Sequence, residues 1–223
     1  TMLPELIPGE IIEHMRLPSY ADALVMLHFP EASKDVEQGR ARIAFQEMLE
    51  LLYAAKLNKD DNATLTSWHI PFDQAATKRF VESLPFTLTG DQRRAAWDII
   101  QNFDTARPMN RLLQGDVGSG KTIVAGLAAY AAATHGYQSA IMAPTELLAR
   151  QHAETLNTLL SPHGVSVGLL VGSIKKSSKD ALKREIASGS IAVTVGTHAL
   201  IQDAVSFHKL GFVAIDEQHR FGV

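Results

Sequence analysis

Apolar positions follow two textures along this chain, and the change comes near Pro85. Before it, apolar residues recur at every third or fourth position between prolines. Pro8-Gly9 opens one short run, Pro18-Ser19 opens another, and Pro30 closes the second ahead of Glu31, which predicts short helices bounded by prolines. From Ser33 to Leu57 no proline intervenes. Val36, Ile43, Met48, Leu51, Leu52 and Ala55 keep helical spacing there, predicting one long helix with an acidic outer face. Lys59-Asp60-Asp61-Asn62 reads as a polar break, and a further helix is predicted over 72–83 until Leu84-Pro85 stops it. Residues 1–85 thus read as all-helical.

After Pro85, short apolar or β-branched runs alternate with helical patterns. Strands are predicted at Arg111–Gln114, Ser139–Ala143, Val165–Val171, Ile191–Val195 and Phe212–Ile215, and helices at Gly90–Phe103, Lys121–Thr134, Glu146–Leu160 and Lys179–Ala187. This alternation predicts an α/β domain over 86–223, a parallel sheet with helices on both faces. Right-handed crossovers carry helix N-termini to the carboxyl edge of such a sheet, so functional residues are expected along that edge.

Composition narrows the setting. The chain has no cysteine, which excludes disulfides and thiolate metal sites and suits a reducing, cytoplasmic compartment. No apolar run approaches the roughly 18 residues of a bilayer span, and the N-terminus lacks the pattern of a signal peptide, so no membrane partner is expected. The net charge of −3 averages two unlike parts: residues 1–85 carry 8 basic and 13 acidic side chains, residues 86–223 carry 13 and 11. A nucleic-acid partner would favour the second part. The nine histidines are scattered without metal-ligand spacing.

Candidate chemistry begins at Gly115-Asp116-Val117-Gly118-Ser119-Gly120-Lys121-Thr122, a full match to GxxxxGK(S/T). Glycines in such a loop let successive N–H groups turn toward phosphate oxygens at the start of a helix, Lys121 reaches the terminal phosphates, and Thr122 ligates magnesium. Lysine and threonine directly after the last glycine have no role in a plain turn. The last predicted strand ends in Asp216-Glu217-Gln218-His219, which supplies the matching acids. Asp216 is expected to organise the metal and Glu217 to orient and deprotonate the attacking water. Thr145 and Thr197 each follow an apolar strand and open a helical pattern; each is either a simple N-cap or part of a pocket for a DNA phosphate. Between Ser173 and Arg184 five basic residues face a single acid, Asp180. Lys175 and Lys176 there are either DNA-phosphate contacts or a solvated face.

In this order the motifs resemble those of superfamily 2 helicases and translocases. By that resemblance Leu88-Thr89-Gly90-Asp91-Gln92 is the adenine-sensing segment, with Gln92 on the base edge and Phe86 either against the ring or a packing residue. Ala143-Pro144-Thr145-Glu146-Leu147-Leu148-Ala149, with Gln151-His152, and Val193-Thr194-Val195-Gly196-Thr197-His198-Ala199-Leu200 resemble the nucleic-acid contact motifs, and His219 would link hydrolysis to motion of those motifs. Met109 to Thr122, together with Asp216-Glu217-Gln218-His219-Arg220-Phe221-Gly222-Val223, is similar to the RecG group of branched-DNA helicases. Gln218 favours that group over the Mfd transcription-repair translocases, which typically carry Glu there.

The resemblance implies an ATP- and Mg2+-dependent motor of RecA-like fold that acts on branched double-stranded DNA at forks and Holliday junctions in recombination and repair. Single-stranded DNA-binding protein is a further expected partner of the full-length protein. It also implies that residues 1–85 are a helical connector and residues 86–223 a first motor lobe, with the second lobe and the oligonucleotide-binding wedge outside the chain. Weak nucleotide binding and very slow turnover by the chain alone are then expected. Two alternatives stand: an Mfd-like translocase, and a nucleotide switch without motor activity, for which Glu217 has no role.

Overall fold

The computed structural model describes residues 4–201 and 205–220. Its chain divides into two units, Thr1–Leu65 and Thr66–Val223. The boundary lies twenty residues earlier than the change of texture at Pro85.

The first unit is helical: α1 (Gly9–Met15), α2 (Tyr20–His28) and α3 (Ser33–Thr64). Ser19 caps α2 by accepting from Asp22 N at 3.1 Å. The Asp35 carboxylate accepts from Glu31 N and Ala32 N at the start of α3. α3 runs through the predicted break at 59–62, because none of those residues is a helix breaker of the Pro or Gly kind and Lys56 pairs with Asp60 one turn on, at 2.7 Å. Arg42 is buried in this unit and satisfied by the Pro18 carbonyl, Gln46 Oε1 and Glu5 Oε1. Burial works to raise the Glu5 pKa, yet donors from Tyr20 N and Ile7 N and the charge of Arg42 outweigh it and hold the carboxyl below its ordinary value.

The second unit holds α4 (Gln74–Ser83), α5 (Gly90–Phe103), α6 (Lys121–Ala133), β1 (Gln138–Met142), α7 (Glu146–Leu160), β2 (Val167–Leu170), α8 (Lys176–Ser188), β3 (Val193–Gly196) and β4 (Leu210–Ile215). α4, predicted as part of the connector, packs instead on α6, with Phe80 stacked on Tyr130 at 4.7 Å between ring centroids. All pairings are parallel, in the order β2-β3-β1-β4. Alternate strand residues divide the core between the two faces. Ile141 and Val171 join α5, α6 and α7 in the larger cluster, whereas Met142 and Leu170 join Ile186 of α8 in the smaller one. The α/β class with helices on both faces is therefore as the periodicity predicted.

One predicted strand is absent among the described residues. Arg111–Gln114 makes no ladder, and β4 pairs only with β1, leaving Val213 and Ile215 exposed. The apolar signal there is two leucines between Asn110 and Gly115, and Leu112 points into solvent. Arg111 instead approaches Asp98 of α5, at 4.0 Å.

The buried Gln138 side chain fastens the start of β1. Its Nε2 donates to the Ile186 and Ile191 carbonyls, and its Oε1 accepts from His208 N and Lys209 N. No helix among the described residues is long and apolar enough to cross a membrane.

Candidate active site

Register places the carboxyl ends of the strands side by side, with Met142 opposite Gly196 and Ile215, and Leu170 opposite Gly196. The residues that follow these ends (Thr145, Gly172-Ser173, Thr197 and Asp216-Glu217) therefore share one edge. Backbone bonds continue the ladder beyond the strands: Asp216 N donates to Met142 O and Ala143 N to Gly196 O, both at 2.8 Å.

The loop over residues 115–120 leads directly into α6, whose N-cap is Gly120 at φ 84°. Lys121 Nζ donates to the Gly115 and Asp116 carbonyls at 2.7 and 2.9 Å, so the loop closes around its own ammonium group. An amine held by two neutral carbonyls can exchange them for phosphate oxygens with a gain in charge pairing. α5 supports the loop from below. Thr89 and Gln92 form a reciprocal capping box, Thr89 Oγ1 accepting from Gln92 N and Gln92 Oε1 from Thr89 N. Gln92 Nε2 then donates to Ser119 O at 2.8 Å, and a Cβ on Gly120 would collide with that amide. Gln92 thus bonds both the loop and its own helix, and one amide proton and one lone pair of its carbonyl oxygen have no partner among the described residues. Phe86 is half-exposed.

Thr122 lies in the first turn of α6 and Asp216 follows β4, 94 positions apart in sequence. One imidazole joins them: His152 Nδ1 lies 3.3 Å from Thr122 Oγ1 and His152 Nε2 lies 2.8 Å from Asp216 Oδ2. Hard oxygen donors, one hydroxyl and one carboxylate, suit a hard divalent cation that takes its remaining ligands from other oxygens. Among the described residues no group of three or more His, Asp or Glu could cage an ion alone. Glu217 sits at φ 46°, a left-handed conformation unusual for a side chain of this kind. Its Oε2 is buried and lies 2.7 Å from Arg220 Nε at an angle that makes an ion pair but no hydrogen bond. His219 lies in the turn over Gln218–Arg220, but its side chain falls outside the described residues, as do residues 221–223.

The two threonines differ. Thr145 Oγ1 caps α7 by accepting from Leu148 N at 3.3 Å, while Thr197 is buried in a small cavity with Leu170, Gly172, Lys179, Lys183 and His198. α8 starts three residues earlier than predicted, with Lys175 as its N-cap. Lys175 and Lys176 are exposed at that end and do not line the cavity; Lys179 and Lys183, one turn apart, do. The run of basic residues was visible in the sequence, but which two reach the sheet edge depends on where α8 begins. Glu146, in the first turn of α7, accepts from Ser173 Oγ at 2.5 Å and Ser173 N at 3.0 Å, and Arg150 donates to the same hydroxyl. The Ser173 hydroxyl leads the causes that hold the Glu146 pKa below its ordinary value.

A family model described as DEAD/DEAH box helicase matches residues 89–223. The chain is 43% identical over 224 residues to the ATP-dependent DNA helicase RecG of Bacillus subtilis (strain 168), covering 99% of this chain and 33% of that protein. It is 41% identical over 221 residues to the RecG of Thermotoga maritima, covering 99% and 28%. The structure of RecG bound to a three-way DNA junction superposes with a TM-score of 0.87 at 40% identity, over 99% of this chain and 30% of that one. The UvsW helicase from bacteriophage T4 shares the fold at a TM-score of 0.50 and 18% identity, over 70% of this chain and 54% of that one. The chain thus spans about a third of the length of the RecG relatives it matches. Since the helicase model covers more than half of its residues, including the phosphate loop and the Asp216-Glu217 pair, the chain belongs to the DEAD/DEAH box helicase family.

Proposed function

We propose that the chain is the nucleotide-binding part of an ATP-dependent DNA helicase that acts on branched DNA, with ATP and Mg2+ at the carboxyl edge of the sheet. The observation that carries this reading is the convergence of Lys121, Thr122, Asp216 and Glu217 on that edge, in a chain similar over 99% of its length to RecG proteins.

In this reading the N–H groups of 116–122 and the Lys121 ammonium take the phosphates in place of the Gly115 and Asp116 carbonyls. Thr122 and Asp216 would hold the magnesium ion, which when bound neutralises phosphate charge. Glu217, now paired with Arg220 Nε at 2.7 Å, would orient the attacking water and take its proton on exchanging that pair for the water. Gln92, which donates to Ser119 O, would also meet the base edge, and Phe86 would lie against the ring. Thr145, Thr197, Lys179 and Lys183 would receive the phosphates of the DNA backbone. Asp216 and Thr145 both adjoin β1 ends, so a displacement of DNA at one is felt within the same sheet edge as the other.

The test is phosphate release by the protein that carries this chain, with no DNA, with linear duplex and with a three-way junction. Turnover is expected to rise with DNA and to rise most with the junction. Equal turnover in all three conditions would remove the DNA motor and favour a nucleotide switch. Glu217→Gln should trap bound ATP in a motor and leave a switch unaffected.

A further inference from the structure

His152 has no part in the roles given above to the phosphate loop and the acids, yet it bonds to both. Its helix, α7, is fixed in the core by Ala149 and Leu156, which lie one turn before and after His152 on the same face and are fully buried. The imidazole therefore moves only with α7 as a whole. Its hydrogen-bond roles follow from its partners: a carboxylate only accepts, so Nε2–H donates to Asp216 Oδ2, and Nδ1 is left to accept the Thr122 hydroxyl proton. With that proton turned toward His152, the lone pairs of Thr122 Oγ1 face elsewhere. Asp216 is likewise held through Oδ2, and its Oδ1 has no partner among the described residues.

We propose that His152 is a positioning residue for the divalent-ion site, holding Thr122 and Asp216 from behind with their remaining lone pairs available to the cation, and that it ties this site to the DNA-facing start of α7. Seven residues separate Thr145 from His152, about 10 Å of continuous helix at 1.5 Å per residue. A shift of α7 on taking a backbone phosphate moves the imidazole, and with it the spacing of the two oxygens. The inference rests on the reading of Lys121, Thr122 and Asp216 as a nucleotide site.

The experiment is binding of a fluorescent ADP analogue to this chain, titrated with Mg2+ in the absence and presence of duplex DNA, for the wild type and for His152→Ala, His152→Gln and Lys121→Ala. Removing a residue that holds a metal ligand in place typically costs about 10–100-fold in metal affinity. His152→Ala should raise the half-saturating Mg2+ concentration by that factor and leave Mg2+-free nucleotide binding unchanged. His152→Gln, whose terminal amide can both donate and accept, should recover most of the loss. Any shift of the Mg2+ half-point by DNA should disappear in His152→Ala. An unchanged Mg2+ requirement in His152→Ala, or equal loss in the Ala and Gln variants with unchanged melting temperatures, would overturn the proposal. Failure of Lys121→Ala to weaken nucleotide binding would overturn the nucleotide-site reading itself.

Discussion

Replacing Gly120 with alanine probes the support that α5 gives the phosphate loop. Gly118 and Gly120 have nearly the same backbone, at φ 82° and 84°, so an alanine at either carries the left-handed penalty of about 1–2 kcal/mol. Their surroundings differ. A Cβ at Gly118 meets nothing within 4 Å, whereas at Gly120 it drives into Gln92 Nε2. Gln92 can swing away, but it then loses its bond to Ser119 O and disturbs the one to Thr89 N, each worth about 1 kcal/mol net. Gly118→Ala should therefore cost about 1–2 kcal/mol and Gly120→Ala about 3–4 kcal/mol. At roughly 2–4 °C per kcal/mol for a protein of this size, calorimetric melting should fall by about 4 °C and about 10 °C. In a Gln92→Ala background, Gly120→Ala should cost no more than Gly118→Ala, a coupling of about 2 kcal/mol. Equal costs of Gly120→Ala with and without Gln92 would refute the contact between α5 and the loop.

Other perturbations test other parts. Gln138→Leu leaves two carbonyls and two N–H groups without their partner and should destabilise the second unit by about 3 kcal/mol, read by chemical denaturation. Because the Glu5 pKa is lowered in the folded state, its contribution is complete above the ordinary carboxylate value of 4.5 and is lost as pH falls through the lower folded value. Glu5→Gln should thus destabilise the first unit at neutral pH and flatten its loss of stability in acid, measured by melting between about pH 2 and 7. If Lys179 and Lys183 each meet a DNA phosphate, changing both to Ala should flatten the log–log salt dependence of duplex binding by about 1.8. Changing Lys175 and Lys176 should flatten it less.

How much of this could be read from the sequence depends on how local each signal is. The helices at 90–103 and 146–160 have their predicted ends because Thr89 and Thr145 are real caps, each bonding the N–H three residues on. α3 outran its prediction because polar residues at 59–62 do not break a helix whose surface they already suit. The apolar pair in Arg111–Gln114 predicts a strand, but a strand exists only through a ladder, and ladder partners are not local. The phosphate loop and the Asp216-Glu217 pair were legible as motifs. His152 was legible only as part of a segment resembling a nucleic-acid contact motif; its bridge between Thr122 and Asp216 was not, since those partners stand 30 and 64 positions away.

The central claim is that residues 115–122 and Asp216 form one nucleotide site, and equilibrium binding of a fluorescent ATP analogue with Mg2+ tests it most directly. The account predicts saturable binding by this chain that falls at least about tenfold, some 1.4 kcal/mol, in both Lys121→Ala and Asp216→Ala while the fold is retained. Binding that is unaffected by either substitution would contradict it.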